Sequence, residues 1–244
     1  MKQTIFEIKE NIKIAKDVFR MTLAGDTEGI LPGQFVNIKL DGLYLRRPIS
    51  VCDVPQSGIL VIIYKVVGVG TEQMSRMSGG SLDVLTQLGN GYDLERSGDA
   101  PLLVGGGVGV PPLYMLAKKL TEAGKMVSVI IGFNTKDEVF YEEEFKDLGA
   151  SVKVTTVDGS YGIKGFVTNA MEGMDFSYFY SCGPEPMLRA LCHATDKSGE
   201  LSFEERMGCG FGACMGCSCK TLAGNKRICK DGPVMRKEEI IWND

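Results

Sequence analysis

The chain has 244 residues, 44% of them hydrophobic and 24% charged, which excludes a disordered tail protein or a fibre and suits two domains with a small appendage. The net charge of −4 offers no basic field to draw in nucleic acid or an anionic membrane. His193 is the only histidine, which argues against a histidine base or a histidine-rich metal site and leaves chemistry that a cofactor carries.

Met1–Glu10 mixes charged and apolar residues and does not read as an export signal, so a cytoplasmic protein is expected. Residues 1–97 have an all-β pattern. Ile12–Ile14 and Val18–Leu23 read as strands, and Gln34–Leu40 alternates strictly between Gly33 and Asp41-Gly42. Ile49–Cys52 and Ile59–Val67 are two more strands, and Thr71–Met77 is a short helix. Short strands separated by Gly and Pro predict a small antiparallel barrel. Arg46-Arg47-Pro48-Ile49-Ser50 places fixed charge and a hydroxyl at a strand start, which suits a diphosphate; an ordinary basic strand edge is the alternative. Gly68-Val69-Gly70-Thr71 would offer backbone amides to the same phosphates.

From Ala100 the pattern changes. Pro101–Val104 is an apolar run of the kind a buried parallel strand shows, and the weakly charged stretch Pro101–Ala117 holds four glycines and three prolines, too broken and too short to span a bilayer. The run enters Gly105-Gly106-Gly107-Val108-Gly109, and a helix follows over Pro112–Ala123. Further strands are expected at Val127–Ile131, Val152–Val157 and Phe176–Ser181. Helices are expected at Val139–Leu148, Phe166–Met171 and Glu185–Asp196. Alternating strands and helices over 98–200 predict a doubly wound parallel sheet. Its Gly105–Gly109 loop would face phosphates, although a turn that needs glycine only for packing remains open. Ser181-Cys182-Gly183-Pro184-Glu185-Pro186-Met187 is a second loop at the same sheet edge, where Cys182 is either a buried filler or a residue facing a reactive ring. No carboxylate ends the second strand, which runs into Gly132-Phe133-Asn134, and no arginine stands there; this leans toward NAD over NADP, with Lys136 nearby as the contrary sign.

Five of the eight cysteines, Cys209, Cys214, Cys217, Cys219 and Cys229, crowd into 21 residues of the segment 201–244. A disulfide framework is a poor reading in a long chain with core-forming composition. Cys209, Cys214 and Cys217 give C-x4-C-x2-C, followed by Cys229, which is the plant-type ferredoxin spacing for a [2Fe–2S] cluster. Gly208, Gly210, Gly212, Ala213 and Gly216 would let backbone amides approach an anionic cluster. A structural zinc site is the alternative, but only one C-x2-C knuckle is present. Cys219 is read as a spare buried thiol, and Cys52 and Cys192 as small buried hydrophobes. Thr221–Ile228 is expected to form a hairpin around Gly224-Asn225, returning Cys229 toward Cys217.

Taken together, these residues resemble the ferredoxin–NADP reductase superfamily, with a flavin barrel followed by a nucleotide domain. Its Arg-x-x-Ser motif appears as Arg47-Pro48-Ile49-Ser50, its glycine loop as Gly105-Gly106-Gly107-Val108-Gly109, and its Cys-Gly-x-x-Pro loop as Cys182-Gly183-Pro184-Glu185-Pro186. Glu204–Cys219 with Cys229–Val234 is similar to the electron-transfer subunits of dihydroorotate dehydrogenase B. The resemblance implies a subunit of pyrimidine biosynthesis that binds FAD, a [2Fe–2S] cluster and NAD. It implies a heterotetramer with two copies of an FMN-containing catalytic subunit that turns dihydroorotate into orotate, and an electron path from FMN through cluster and FAD to NAD. Arg47, Pro48, Ile49, Ser50, Gly70 and Thr71 would hold FAD, lined by Tyr64, Lys65 and Val66. Gly105, Gly106, Gly107, Gly109, Cys182, Gly183 and Pro184 would meet the nicotinamide cofactor, and Cys209, Cys214, Cys217 and Cys229 would ligate iron. The same module in a sulfide dehydrogenase, transhydrogenase or hydrogenase complex is one alternative; a zinc-stapled interaction module without redox function is another.

Overall fold

The computed structural model describes residues 1–242. Six strands close a barrel: β1 (Lys2–Ala15), β2 (Val18–Ala24), β3 (Phe35–Ile38), β4 (Arg47–Gln56), β5 (Ile59–Lys65) and β6 (Ser81–Leu88), in the spatial order β1-β2-β5-β4-β3-β6. All neighbours pair antiparallel. The inward alternation buries Phe6, Met21, Leu23, Ile38, Leu60, Ile62 and Val84 in one core, each side chain contributing about 1.5–3 kcal/mol of apolar burial. The expected first strand extends back to Lys2, because the charged–apolar alternation of its start is that of a half-buried strand. β6 belongs to no expected strand, although Leu82, Val84 and Leu88 carry the same period of two. Helix α1 (Val69–Ser75) starts two residues before its expected position, because the Thr71 hydroxyl accepts the Val67 amide at 2.9 Å and the Gly68 amide at 3.3 Å.

The second layer holds β7 (Leu102–Gly106), α2 (Tyr114–Glu122), β8 (Ser128–Phe133), α3 (Glu142–Asp147), β9 (Ser151–Thr156), β10 (Ile163–Lys164), α4 (Val167–Met171), β11 (Phe179–Cys182), α5 (Glu185–Ala194) and β12 (Gly199–Ser202). The parallel strands lie in the order β10-β9-β8-β7-β11-β12, so the winding direction reverses between β7 and β11. The acidic helix expected from Val139 to Leu148 is shorter: Val139 is extended, Tyr141 adopts φ +67, and only Glu142–Asp147 is helical. The sheet and barrel share a core in which Val18, Cys52, Val61 and Ile63 pack with Leu103, Val110 and Leu113.

The cysteine-rich segment contains a hairpin, β13 (Ser218–Thr221) with β14 (Gly224–Arg227), and a strand β15 (Val234–Arg236) that adds antiparallel to β12. β12 itself runs across the expected boundary at 200/201. The hairpin turns at Leu222-Ala223, two residues before the expected position, since Thr221 Oγ1 donates to the Gly224 carbonyl at 2.7 Å and accepts the Ala223 amide at 3.2 Å. Asn90 fastens this segment to the barrel end: its Nδ2 donates to the Val234 carbonyl at 2.7 Å and its Oδ1 accepts the Val234 amide at 3.0 Å. Among the described residues no helix is long and apolar enough to cross a membrane.

Candidate functional site

A continuous cleft of about 1850 Å³ opens where barrel, sheet and cysteine segment meet. Arg47, Pro48, Ile49 and Ser50 line it from β4, Tyr64 and Lys65 from β5, and Gly70 and Thr71 from the start of α1. Opposite stand Gly106, Gly107 and Gly109 at the end of β7, and Cys182, Gly183 and Pro184 at the end of β11. These two loops flank the point where the strand order reverses, the position at which open α/β sheets take their ligands. Val66 and Gly105 stand back from it. The Val66 amide donates to Asp17 at 2.8 Å, and a Cβ on Gly105 would come within 2.9 Å of the Val110 backbone, so its small size serves packing.

Several glycines are required by close approach. A Cβ on Gly70 would overlap the Arg47 guanidinium, with Cζ at 2.8 Å, so Arg47 lies directly on the first turn of α1. A Cβ on Gly109 would overlap the Cys182 carbonyl and stand 2.6 Å from the Gly183 nitrogen, so the two sheet-edge loops touch backbone to backbone. The adjacent arginines divide their work. Arg46 is held by Asp83, Nη2 reaching both carboxylate oxygens at 3.0 Å and Nη1 the main-chain oxygen at 2.9 Å. Of the two arginines read as suiting a diphosphate, Arg46 lines the cleft while tied to Asp83 on β6, and Arg47 lines it while donating to the Leu45 main-chain oxygen.

Tyr64 stacks on Phe19 with ring centroids 5.9 Å apart and donates to Asn11 Oδ1 at 2.9 Å; burial pushes its phenol up to about 12. Lys65 pairs with Glu138 at 3.2 Å. Burial would raise the Glu138 carboxyl, but the Asn134 and Lys65 donors outweigh it and hold the group below its usual range. Burial also raises the Cys182 thiol to about 12, with the Ser202 hydroxyl opposing, so Cys182 presents a neutral thiol at neutral pH. Glu138 is a site residue that the sequence reading missed. No carboxylate ends β8, but the turn Lys136–Glu138 folds this one back onto Asn134, and the signal was the spacing of four residues.

No disulfide links any of the eight cysteines. Cys52 and Cys192 are buried as expected. The four candidate iron ligands sit as two neighbouring pairs, Cys209 with Cys214 and Cys217 with Cys229; among the described residues no three acidic, Cys or His side chains are drawn to one point. Cys209 Sγ accepts the Ala213 amide at 3.2 Å and the Cys214 amide at 3.4 Å, and Cys217 Sγ accepts the Cys229 amide at 3.4 Å. Burial would raise the Cys209 thiol, but the backbone donors at Phe211 and Cys214, the Cys214 thiol and the Ala213 amide bring it down to about 6. A Cβ on Gly208 or Gly216 would stand 3.3 or 3.6 Å from Cys214 Sγ, and one on Gly212 2.6 Å from the Lys230 side chain. Three thiols in a glycine-lined loop and a fourth, Cys229, just past the hairpin, backed by amide donors, make a donor set that suits an anionic iron–sulfur cluster. None of the four borders the cleft, whereas Ser218, Cys219 and Lys220, next along the hairpin, do. Cys217 and Cys229 are 2% exposed and pack on Phe35, Leu85 and Leu88 of the barrel, while Cys214 faces outward between exposed Phe211 and Met215.

Barrel, doubly wound sheet and cysteine segment around one cleft define the class: an NAD-linked reductase of the ferredoxin–NADP reductase type with an added iron–sulfur segment. Residues 103–193 match the oxidoreductase NAD-binding domain, and residues 204–241 match the iron–sulfur cluster binding domain of dihydroorotate dehydrogenase B. The chain is 46% identical over 250 residues to the dihydroorotate dehydrogenase B (NAD(+)) electron transfer subunit of Fusobacterium nucleatum, covering 96% of each. It is 46% identical over 255 residues to that of Bacillus pumilus, covering 98% of each. A chain in the structure of an NADH-dependent reduced ferredoxin–NADP oxidoreductase superposes with a TM-score of 0.88 at 35% identity, covering 97% of this chain and 90% of that one. A ferredoxin NADP+ reductase from Neisseria gonorrhoeae with bound FAD and NADP shares the fold, with a TM-score of 0.69 at 15% identity over 80% of this chain and 90% of that one. The chain belongs to the family of dihydroorotate dehydrogenase B electron transfer subunits, and is an oxidoreductase subunit.

Proposed function

We propose that this chain moves electrons between NAD and a separate FMN-containing catalytic subunit that converts dihydroorotate to orotate in pyrimidine biosynthesis. Its cofactors are FAD, a [2Fe–2S] cluster and NAD: the cluster exchanges single electrons, nicotinamide exchanges a hydride, and the flavin does both. The observation that carries the reading is the single cleft, in which the Arg47–Ser50 strand faces the Gly106–Gly109 and Cys182–Pro184 loops while Ser218–Lys220 enters from the cysteine hairpin. Residues 1–97 would hold FAD, 98–200 NAD, and 201–244 the cluster. Arg47 would bind the FAD diphosphate by fixed charge, with Ser50 and the Gly70–Thr71 turn beside it. Pro48, Ile49, Tyr64 and Lys65 would shape the flavin side, with Val66 behind them; Gly105 would support the loop on which Gly106, Gly107 and Gly109 admit the dinucleotide, with Cys182, Gly183 and Pro184 facing it. Cys209, Cys214, Cys217 and Cys229 would ligate the irons.

The outward-facing Cys214 loop, with Phe211 and Met215 exposed, would dock on the catalytic subunit in a cytoplasmic assembly of two chains of each kind. An anaerobic titration of the copurified complex with dihydroorotate and then NAD tests this: visible absorbance should bleach with dihydroorotate and return with NAD. Cys214→Ser should abolish that transfer while NADH still bleaches the FAD. The FMN of the catalytic subunit bleaches with dihydroorotate in either case; dihydroorotate-driven reduction of NAD that survives in Cys214→Ser removes the cluster from the path. The 35% identity to the NADH-dependent reduced ferredoxin–NADP oxidoreductase chain favours, as a second reading, the same module in a transhydrogenase-type complex. A complex that bleaches with reduced ferredoxin and not with dihydroorotate would select it.

A further inference from the structure

The turn that follows β8 is clamped to the end of the β5 strand. The Lys16 amide donates to the Asp137 carbonyl at 2.9 Å, and the neighbouring Asp17 carbonyl accepts the Val66 amide at 2.8 Å. Within this clamp Glu138 Oε1 accepts from Lys65 Nζ at 3.2 Å. Its Oε2 accepts from the Asn134 amide at 3.1 Å and from Asn134 Nδ2 at 2.9 Å. The pair is shielded: side-chain exposure is 34% for Lys65 and 16% for Glu138. Lys65, Glu138 and Asn134 all border the cleft. One carboxylate thus spans the two halves of the site, with Lys65 next to Tyr64 on the barrel side and Asn134 at the carboxyl edge of the sheet.

We propose that Glu138 is a positioning residue for hydride exchange, registering the sheet edge at Asn134 against the barrel strand at Lys65. The inference rests on the reading of this cleft as the meeting place of FAD and NAD. Hydride transfer tolerates little misplacement: an error of about 1 Å costs on the order of a hundredfold in rate. A carboxylate can accept from both anchors at once. The amide of a glutamine would turn N–H groups toward one of them, donor against donor, and release that anchor.

The test uses the full-length chain loaded with FAD and cluster. In Glu138→Gln and in Lys65→Met, flavin bleaching by saturating NADH in a stopped-flow instrument should slow about tenfold to a hundredfold. The long-wavelength charge-transfer band between NADH and oxidised flavin should weaken at saturation, while the NADH dissociation constant moves less than about threefold. The double variant should be no slower than the slower single one, because both act through one contact. If Glu138→Gln loses FAD on purification, Lys65→Met and Asn134→Ala decide by the same band and rate. Unchanged rate and band in the variants that hold FAD, or rate losses that multiply in the double variant, overturn the role of Glu138. A wild-type chain that NADH does not bleach removes the underlying reading instead.

Discussion

Gly109→Ala is the most direct probe of the dinucleotide side of the cleft. The added carbon would overlap the Cys182 carbonyl, with the carbonyl carbon at 2.5 Å and the Gly183 nitrogen at 2.6 Å. Relaxed contact between carbon atoms begins at about 3.5 Å, so the two loops must part by about 1 Å. Both obstacles are backbone, and no rotamer change relieves them. Overpacking of this kind costs about 1–3 kcal/mol, which lowers the melting temperature by a few degrees at this chain size. The larger effect should be functional. The loops that part carry Gly106, Gly107, Cys182 and Gly183, and a displacement of about 1 Å is worth on the order of a hundredfold in hydride transfer. The barrel does not contain this contact, so bound FAD, counted from the visible spectrum per protein, should stay at the wild-type ratio. NADH-driven bleaching followed by stopped flow measures the rate. Wild-type NADH affinity and rate in Gly109→Ala would refute the assignment of these loops to the dinucleotide.

Two other predictions concern the flavin side and the junction between barrel and sheet. Thr71→Ala removes the hydroxyl that accepts the Val67 and Gly68 amides and should cost about 1 kcal/mol at that turn; FAD dissociation, followed by flavin fluorescence, should rise several-fold, and an unchanged constant would separate the turn from FAD binding. Glu200, 5% exposed, accepts the Asp93 amide at 2.9 Å, and burial raises its carboxyl from 4.5 to about 7. Because the folded-state value is the raised one, the favourable balance holds in full below about pH 4.5 and is lost as the pH climbs through about 7, a change of about 3 kcal/mol. Glu200→Gln keeps an acceptor for Asp93 without the buried charge. It should match wild type near pH 4 and melt about 6–12 °C higher at pH 8; parallel melting curves for the two proteins between pH 5 and 8 would contradict this.

The features legible in the sequence are those whose chemistry is local. The alternation of Gln34–Leu40, the apolar run before Gly105 and the spacing of Cys209, Cys214 and Cys217 each depend on neighbours within a turn or a strand, so barrel, sheet and candidate cluster loop could all be read directly. The features that escaped depend on partners far along the chain. Arg46 and Arg47 are adjacent and chemically alike, yet Asp83, 37 residues on, takes the first. Nothing local says so, because the choice is made when β6 closes the barrel beside β3. Cys209 is held by Asn37 Nδ2 on its carbonyl at 3.2 Å, across 172 residues. That bond joins the Asn90 clamp on Val234 and the packing of Cys217 and Cys229 on Phe35, Leu85 and Leu88 in holding the cysteine segment on the barrel. Glu138 lies between these cases. Its bond to Asn134 is local and was readable, but its meaning comes from Lys65, which only the folded barrel brings within reach. The residues that bind can therefore be found by motif, whereas those that hold two binding surfaces in register belong to neither motif and appear only where the surfaces meet.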